Sequence, residues 1–305
     1  MKTGSWHRIV GIIGPGAMGS VLALELRQVP GTRVVFFGRQ GPQGHRATLE
    51  WNRTHHELDI AAPNLAECRD VSIVFTTTKA HQLSASIATN AAYLAPGIPV
   101  VVACNGMVDE EMALLTQRYP FQWRRGTMTY AAKFLAPGRW RVTNERGTLA
   151  WGPWPDSQAE PCAIERELVA AIKGWEWQPD IAQHVREKWL FNSALNSLCG
   201  ELNLKSNGES LKHRAALATL FAEAYRLGEE LWGAWRETEE GLFRRLLALI
   251  EATAENQNSL MRDLEQGHRT ESLYLAGLLT RASGSYPALQ RAHAAIRAQE
   301  QEEGN

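Results

Sequence analysis

"RIVGIIGPGAMGS", residues 8–20, is the stretch on which the fold turns. Its first part is a continuous apolar run, short and β-branched, as expected of a strand buried on both faces. It runs into Gly14, Gly16 and Gly19, spaced G-x-G-x-x-G, and residues 17–28 then carry a helical pattern. Such a glycine motif gains meaning from a strand before it and a helix after it, and both are here. Gly14 permits a tight turn, Gly16 lets the backbone approach a pyrophosphate, and Gly19 lets the helix pack closely on the strand. The phosphates would rest on free N–H groups at the helix N-terminus, beside Ala17 and Met18. The stretch predicts a dinucleotide-binding α/β domain.

Further runs of the same kind extend that domain. "RVVFFG" (33–38), "VSIVFTTT" (71–78) and "IPVVVACNG" (98–106) are apolar and end in small or polar residues, with helical patterns between them at 17–28 and 81–94. Strand–helix–strand alternation implies right-handed crossovers and a doubly wound sheet. "TMTYAAKF" (127–134), "RWRVTN" (139–144) and "GTLAWG" (147–152) follow, separated by "APG" and "ER" turns, and predict an antiparallel extension. Beyond about residue 180 the strand signals vanish. Residues 181–200, 209–236, 239–266 and 270–281 carry helical periodicity. The predicted architecture is an N-terminal Rossmann-type doubly wound sheet over residues 1–179, then an all-helical C-terminal domain over residues 180–305. No internal repeat occurs at solenoid periods. The tail "RAQEQEEGN" reads as a polar, frayed end.

Bulk composition narrows the function classes. The 305 residues suffice for one or two domains with proper cores. Lys+Arg 32 against Asp+Glu 33 leaves a net charge of -1, which gives no electrostatic case for nucleic acid or an anionic membrane. No apolar run approaches the roughly 20 residues needed to span a bilayer, and the N-terminus has no signal-peptide pattern. Cys68, Cys104, Cys162 and Cys199 form no CxxC pair. Their wide spacing fits a reducing cytoplasm and argues against zinc and thiol redox chemistry, and no metal site is expected. His55 and His56 are adjacent but lie in a polar stretch and read as a solvated loop.

Candidate chemistry sits at strand ends and on one helix. A dinucleotide site usually places Asp or Glu at the end of the second strand to hold ribose hydroxyls. Here that strand ends "FFGRQ", with Arg39 at that place, which suits a 2′-phosphate and favours NADPH. "VFTTTKAHQ" delivers Thr77, Thr78, Lys79 and Gln82 after one strand, and "VVVACNGM" delivers Asn105 and Gly106 after the next. In "EKWLFNSALNS" (187–197), Lys188, Asn192 and Asn196 fall at about 0°, 40° and 80° around a helix. Trp189, Phe191 and Leu195 border that polar stripe. Farther on, Asn256, Ser259 and Asp263 share one helical face at i, i+3 and i+7, Gly267 reads as a C-cap, and Thr270 as the N-cap of a helix whose first turn holds Glu271.

Five blocks in order carry a resemblance: "GPGAMG" at 14–19, "TTTKAHQ" at 76–82, "NGM" at 105–107, "EKWLFNSALN" at 187–196 and "ENQNSLMRDLEQGHRTE" at 255–271. The chain resembles the ketopantoate reductase family (2-dehydropantoate 2-reductases), the NADPH enzymes of pantothenate synthesis. The resemblance implies that Lys188 is the catalytic lysine, proton donor to the keto oxygen, and that Glu271 contacts the active site and helps hold that lysine. It implies that Asn105, Asn192, Asn196 and Ser259 bind the substrate's polar groups. Gly14, Gly16, Ala17, Met18, Gly19, Arg39, Lys79, Gln82, Asn105 and Glu271 would line the NADPH/NADP+ site, with Arg39 on the 2′-phosphate. The nicotinamide would be on one domain and the lysine on the other, so a cleft should close over both.

Departures touch the substrate pocket. Ser197 follows Asn196 where the family tends to have proline, and "SLYLAG" follows Glu271, with Leu273 and Ala276 replacing polar residues. The expected partner is a small 2-keto acid, with ketopantoate first. The alternatives are a sibling reductase or dehydrogenase of another small 2-keto or 3-hydroxy acid and a non-catalytic NADPH-binding regulator. A homodimer is the default expectation.

Overall fold

The protein is described from a computed structural model covering residues 6–144, 146–155, 158–267, 270, 272 and 277–302. It divides into two compact units, Met1–Cys104 with Val108–His184, and Asn105–Met107 with Val185–Asn305.

In chain order the first unit runs β1 (Arg8–Ile13), α1 (Ala17–Arg27), β2 (Thr32–Gly38), β3 (Gly41–Gln43), β4 (His45–Trp51), β5 (Thr54–Ile60), α2 (Leu65–Arg69), β6 (Val71–Thr76), α3 (Leu83–Asn90), β7 (Pro99–Val102), α4 (Asp109–Arg118), β8 (Gln122–Met128), β9 (Ala132–Ala136), β10 (Arg139–Val142), β11 (Leu149–Pro153), α5 (Ala163–Ala171) and β12 (Trp175–Trp177). The main sheet has the order β12-β11-β8-β7-β6-β1-β2-β3. Strands β2, β1, β6, β7 and β8 are parallel. Val10, Ile12, Ile73, Val74, Phe75, Val100 and Val101 are fully buried, which is why these strands read as unbroken apolar runs. The strand order reverses between β1 and β6, the switch point at which ligands gather outside the carboxyl ends. The doubly wound sheet is as predicted.

The expected antiparallel extension is corrected in detail. Residues 127–134 are not one strand: β8 ends at Met128 in the main sheet and β9 begins at Ala132 in another. Of the segments expected to form that extension, β11 pairs antiparallel with β8 in the main sheet, whose opposite edge carries β3 antiparallel to β2. Strands β9 and β10 join β4 and β5 in a second sheet, ordered β5-β4-β10-β9. His55 and His56 therefore lie on a strand, β5, and not in a solvated loop. Leu49, Trp51, Leu58, Ile60 and Val142 from the second sheet share one core with Val21, Leu22 and Leu26 of α1.

The second unit is helical. Its elements are most of α6 (Ile181–Leu202), α7 (Arg214–Trp232), α8 (Glu239–Ala252), α9 (Ser259–Glu265) and α10 (Pro287–Glu302). Residues 193–200 of α6 are buried on every side, so this helix is the unit's axis. Leu220 and Phe221 of α7, Leu246 and Ile250 of α8, and Leu289 and Ile296 of α10 surround it. Gly200 lies tight against α10: a Cβ there would come 2.5 Å from the Ile296 side chain.

Two helical expectations are corrected. The 239–266 run is two helices, because the chain turns at 253–258 and the Asn256 carbonyl accepts from Asn207 N–H at 3.0 Å. The tail is not frayed over 297–302: it is helical, Gln299 Nε2 donates to the Gly200 carbonyl at 2.8 Å, and Glu300 accepts from Thr270. Of 270–281, the helical turn Gly277–Arg281 lies among the described residues.

Candidate functional site

The glycine turn follows from backbone geometry. Gly14 adopts φ +111°, in the left-handed region that favours glycine. Thr77 at the end of β6 donates its hydroxyl to the Gly14 carbonyl at 2.9 Å and its N–H to the Ile13 carbonyl at 2.9 Å. A Cβ on Gly19 would lie 2.2 Å from the Gly14 carbonyl oxygen, so only glycine lets α1 approach this closely. A Cβ on Gly16 would meet nothing within 4 Å. Gly16 caps α1 without a side-chain hydrogen bond, and no acidic residue occupies the first turn with Ala17 and Met18. Open space above Gly16 and uncapped N–H donors fit the pyrophosphate of a dinucleotide.

Arg39 is exposed in the turn joining β2 to β3, where Gly38 pairs with Gly41. Asn90 at the end of α3 donates to the Gly38 carbonyl at 3.0 Å and so braces the base of that turn. The turn itself, Gly38 to Gly41, contains no carboxylate, which suits a phosphate. Lys79 precedes the short helical turn Ala80–Gln82, and Gln82 ends it.

In the second unit, Lys188 Nζ donates to Asn105 Oδ1 at 2.9 Å. Trp189 beside it is 2% exposed and packs edge-on against Trp232 at 4.9 Å. Asn192 is half-buried one turn along. Asn196 is buried, and its Oδ1 accepts from Asn258 Nδ2 at 2.7 Å. Asn258 is in turn the N-cap of α9, accepting from Leu260 N–H at 2.9 Å. Ser259 is the first residue of α9, so Asn196 is tied to the segment that presents Ser259. Asn256 is corrected: it sits in the preceding turn and shares no helical face with Ser259 and Asp263, which remain together on α9. Gly267, at φ +62° just past the α9 C-cap, ends the helix as read from the sequence. Thr270 accepts from Ser272 N–H at 3.2 Å. Glu271, Leu273 and Ala276 lie outside the described residues.

Several supporting residues escaped the sequence reading. Asn258 had a usable signal, since Asn before "SLMRDLE" is a favoured helix N-cap. Arg125 had none: it is 2% exposed in a central strand and donates to the carbonyls of Val102 and Cys104, at the end of β7 just before Asn105. Ser20 and His45, hydrogen-bonded at 2.7 Å behind the glycine turn, are 25 residues apart and also gave no local pattern. Among the described residues no group of three or more His, Cys, Asp or Glu could hold a metal ion, and no helix is long and apolar enough to cross a membrane.

Comparison with known proteins bears on the whole chain. Residues 10–156 match the model described as ketopantoate reductase PanE/ApbA, and residues 180–300 match its C-terminal counterpart. The chain belongs to the ketopantoate reductase family. It is thus an oxidoreductase by family. Among ketopantoate reductase relatives, a 2-dehydropantoate 2-reductase of Archaeoglobus fulgidus is 26% identical over 281 residues, covering 89% of this chain and 90% of that protein. A PanE/ApbA family ketopantoate reductase from Ralstonia eutropha has a TM-score of 0.81 at 18% identity, covering 97% of this chain and 100% of that one. D-mandelate dehydrogenase, solved with NADH and anilino(oxo)acetate, also has a TM-score of 0.81, at 19% identity and with 97% and 100% coverage. At such identities the two structures speak for the ketopantoate reductase fold alone.

Proposed function

We propose that this protein reduces 2-dehydropantoate (ketopantoate) to pantoate in pantothenate biosynthesis, with NADPH as cofactor and Lys188 as proton donor. The observation that carries the reading is the 2.9 Å bond from Lys188 Nζ to Asn105 Oδ1. Reducing a ketone leaves negative charge on its oxygen. A fixed ammonium stabilises that charge and supplies the proton. Asn105 takes one of the three ammonium protons in a hydrogen bond, so the direction of the others is set before substrate arrives. NADPH, when bound, supplies the hydride.

On this reading Gly14, Gly16, Ala17, Met18 and Gly19 hold the pyrophosphate and Arg39 the 2′-phosphate. Lys79, Gln82 and Asn105 line the nicotinamide side. Glu271 works with Lys188, while Asn192, Asn196 and Ser259 orient the substrate carboxylate and hydroxyl without adding net charge. Asn196 would do so with its amide oxygen already shared with Asn258. The same reading has a homodimer in the cytoplasm.

The test follows oxidation of NADPH by absorbance with ketopantoate, pyruvate and 2-ketoisovalerate, then repeats the set with NADH. A kcat/KM for ketopantoate at least about tenfold above the others is expected. A second reading, a sibling dehydrogenase of another small 2-keto acid, is favoured by the buried Ser197 beside Asn196, where proline is usual. The likeness to D-mandelate dehydrogenase adds D-mandelate oxidation as a further arm. Absence of turnover with intact NADPH binding would favour the non-catalytic regulator instead.

A further inference from the structure

We infer that His45 is a positioning residue for the dinucleotide phosphates, acting through Ser20 on the Gly16–Ala17 peptide of the glycine turn. This rests on the proposed NADPH site and adds to it a part for the second sheet.

The available protons fix the direction of the hydrogen bonds around Ser20. Ser20, in the first turns of α1, is fully buried. Its Oγ lies 2.9 Å from the Gly16 carbonyl and 2.7 Å from His45 Nε2. A hydroxyl has one proton to give. The carbonyl can only accept, so that proton goes to Gly16, and the imidazole must then donate from Nε2. Burial pushes His45 below the ordinary histidine pKa, which fits a neutral ring carrying its proton on Nε2. The ring is held in place by Phe36, with centroids 4.4 Å apart, and faces Trp140 at 6.5 Å.

The consequence falls on the phosphate side. The Gly16 carbonyl accepts from both Ser20 N–H and Ser20 Oγ, each at 2.9 Å, and so is drawn into the helix. The peptide joining Gly16 to Ala17 is planar and trans, with its C=O and N–H pointing opposite ways. Drawing the carbonyl inward turns the Ala17 N–H outward, into the open space over Gly16 where a phosphate oxygen would sit. His45 begins β4, so the second sheet sets the aim of this donor. It ties the same helix farther along, where Arg27 donates to the Glu57 carbonyl of β5 at 3.2 Å.

The experiment titrates NADPH fluorescence against wild type, S20A, H45L, H45Q and the S20A/H45L double variant, without keto acid. S20A and H45L are expected to weaken NADPH binding about tenfold each, the scale of one net hydrogen bond. The double variant should be no weaker than about tenfold, because the two residues act in series. H45Q, which keeps a side-chain N–H donor, should recover to within about threefold. The keto acid KM at saturating NADPH should move less than about twofold, since this is the readout general destabilisation would also disturb. Wild-type affinity in S20A, an additive loss in the double variant, or no recovery in H45Q would each overturn the inference. S20A removes a single oxygen and carries the test if H45L does not fold. Failure of wild type to bind NADPH would instead overturn the cofactor reading beneath it.

Discussion

In the glycine turn the groups offered to a ligand are backbone N–H donors, and the close packing that carries them depends on side chains being absent at Gly14 and Gly19. Along α6 they are side chains, and their placement depends on distant partners being present: Asn105 for Lys188, Asn258 for Asn196. The glycine packing is broken by adding an atom, the polar stripe by removing one. It follows that the turn should be intolerant of small substitutions that most sites accept. The stripe should instead transmit damage from residues that need not touch substrate.

The largest effect tests the stripe at its chemical end. Lys188→Ala is expected to lower kcat by at least about two orders of magnitude, the usual worth of a positioned general acid, while NADPH binding survives. Near-normal turnover in that variant would sink the assignment of Lys188. The next test divides the turn against itself. Gly19→Ala puts a Cβ 2.2 Å from the Gly14 carbonyl oxygen, so both the melting temperature and NADPH affinity should fall, the affinity by roughly a hundredfold. Gly16→Ala meets no protein atom within 4 Å, so stability should hold and only NADPH affinity should drop. Equal melting losses in the two variants would mean that the space over Gly16 is not kept for a ligand.

The same contrast explains what could be read from the sequence. Backbone requirements leave local marks. Three glycines at fixed spacing and unbroken apolar runs such as "VSIVF" announced β1, α1, β2 and β6 within a residue or two. Strands β4 and β5 were missed although they pair over seven residues. Their outward faces carry Arg46, Glu57 and Asp59, and their turn uses Asn52 and Arg53 at positive φ instead of the usual glycine. At the site, Lys188, Asn192 and Asn196 were legible because helical spacing puts them on one face. Their partners were not, because Asn105 is 83 residues from Lys188, and Asn258 is 62 from Asn196. No periodicity within one segment encodes a pairing across such distances.

A partner-dependent site should also be divisible into its contributions. Asn258→Ala removes the α9 N-cap, worth about 1 kcal/mol, and strands the buried Asn196 oxygen, worth about 1–3 kcal/mol. A combined loss of roughly 2–3 kcal/mol in chemical denaturation is expected. Asn258→Ser keeps a capping oxygen but not the reach to Asn196, and should recover about 1 kcal/mol of it. If serine recovers everything, the Asn196–Asn258 bond contributes nothing and the stripe does not depend on that partner.

The smallest effect separates the two arrangements by pH. Glu230 on α7 accepts from the Tyr286 hydroxyl at 2.6 Å, from the N–H and hydroxyl of Ser283, and from Gly284 N–H, and so fastens the segment that leads into α10. These donors, Tyr286 foremost, pull its pKa from the ordinary 4.5 down to about 2. A carboxylate held lower in the folded state than in the unfolded one stabilises the fold above the unfolded pKa. That stability is lost as pH falls from about 4.5 toward about 2. Glu230→Gln keeps an acceptor but has no charge to lose, so its own contribution is flat across this window. Wild type should therefore lose more melting temperature than the glutamine variant between about pH 5 and pH 2.5, with the two curves converging at the acid end. The glycine turn has the His45 imidazole and no carboxylate among its side-chain hydrogen bonds, so a loss of this carboxylate kind is not expected there. Parallel profiles for wild type and Glu230→Gln would show that the α7–α10 connection is held by apolar packing, with the carboxylate incidental to it.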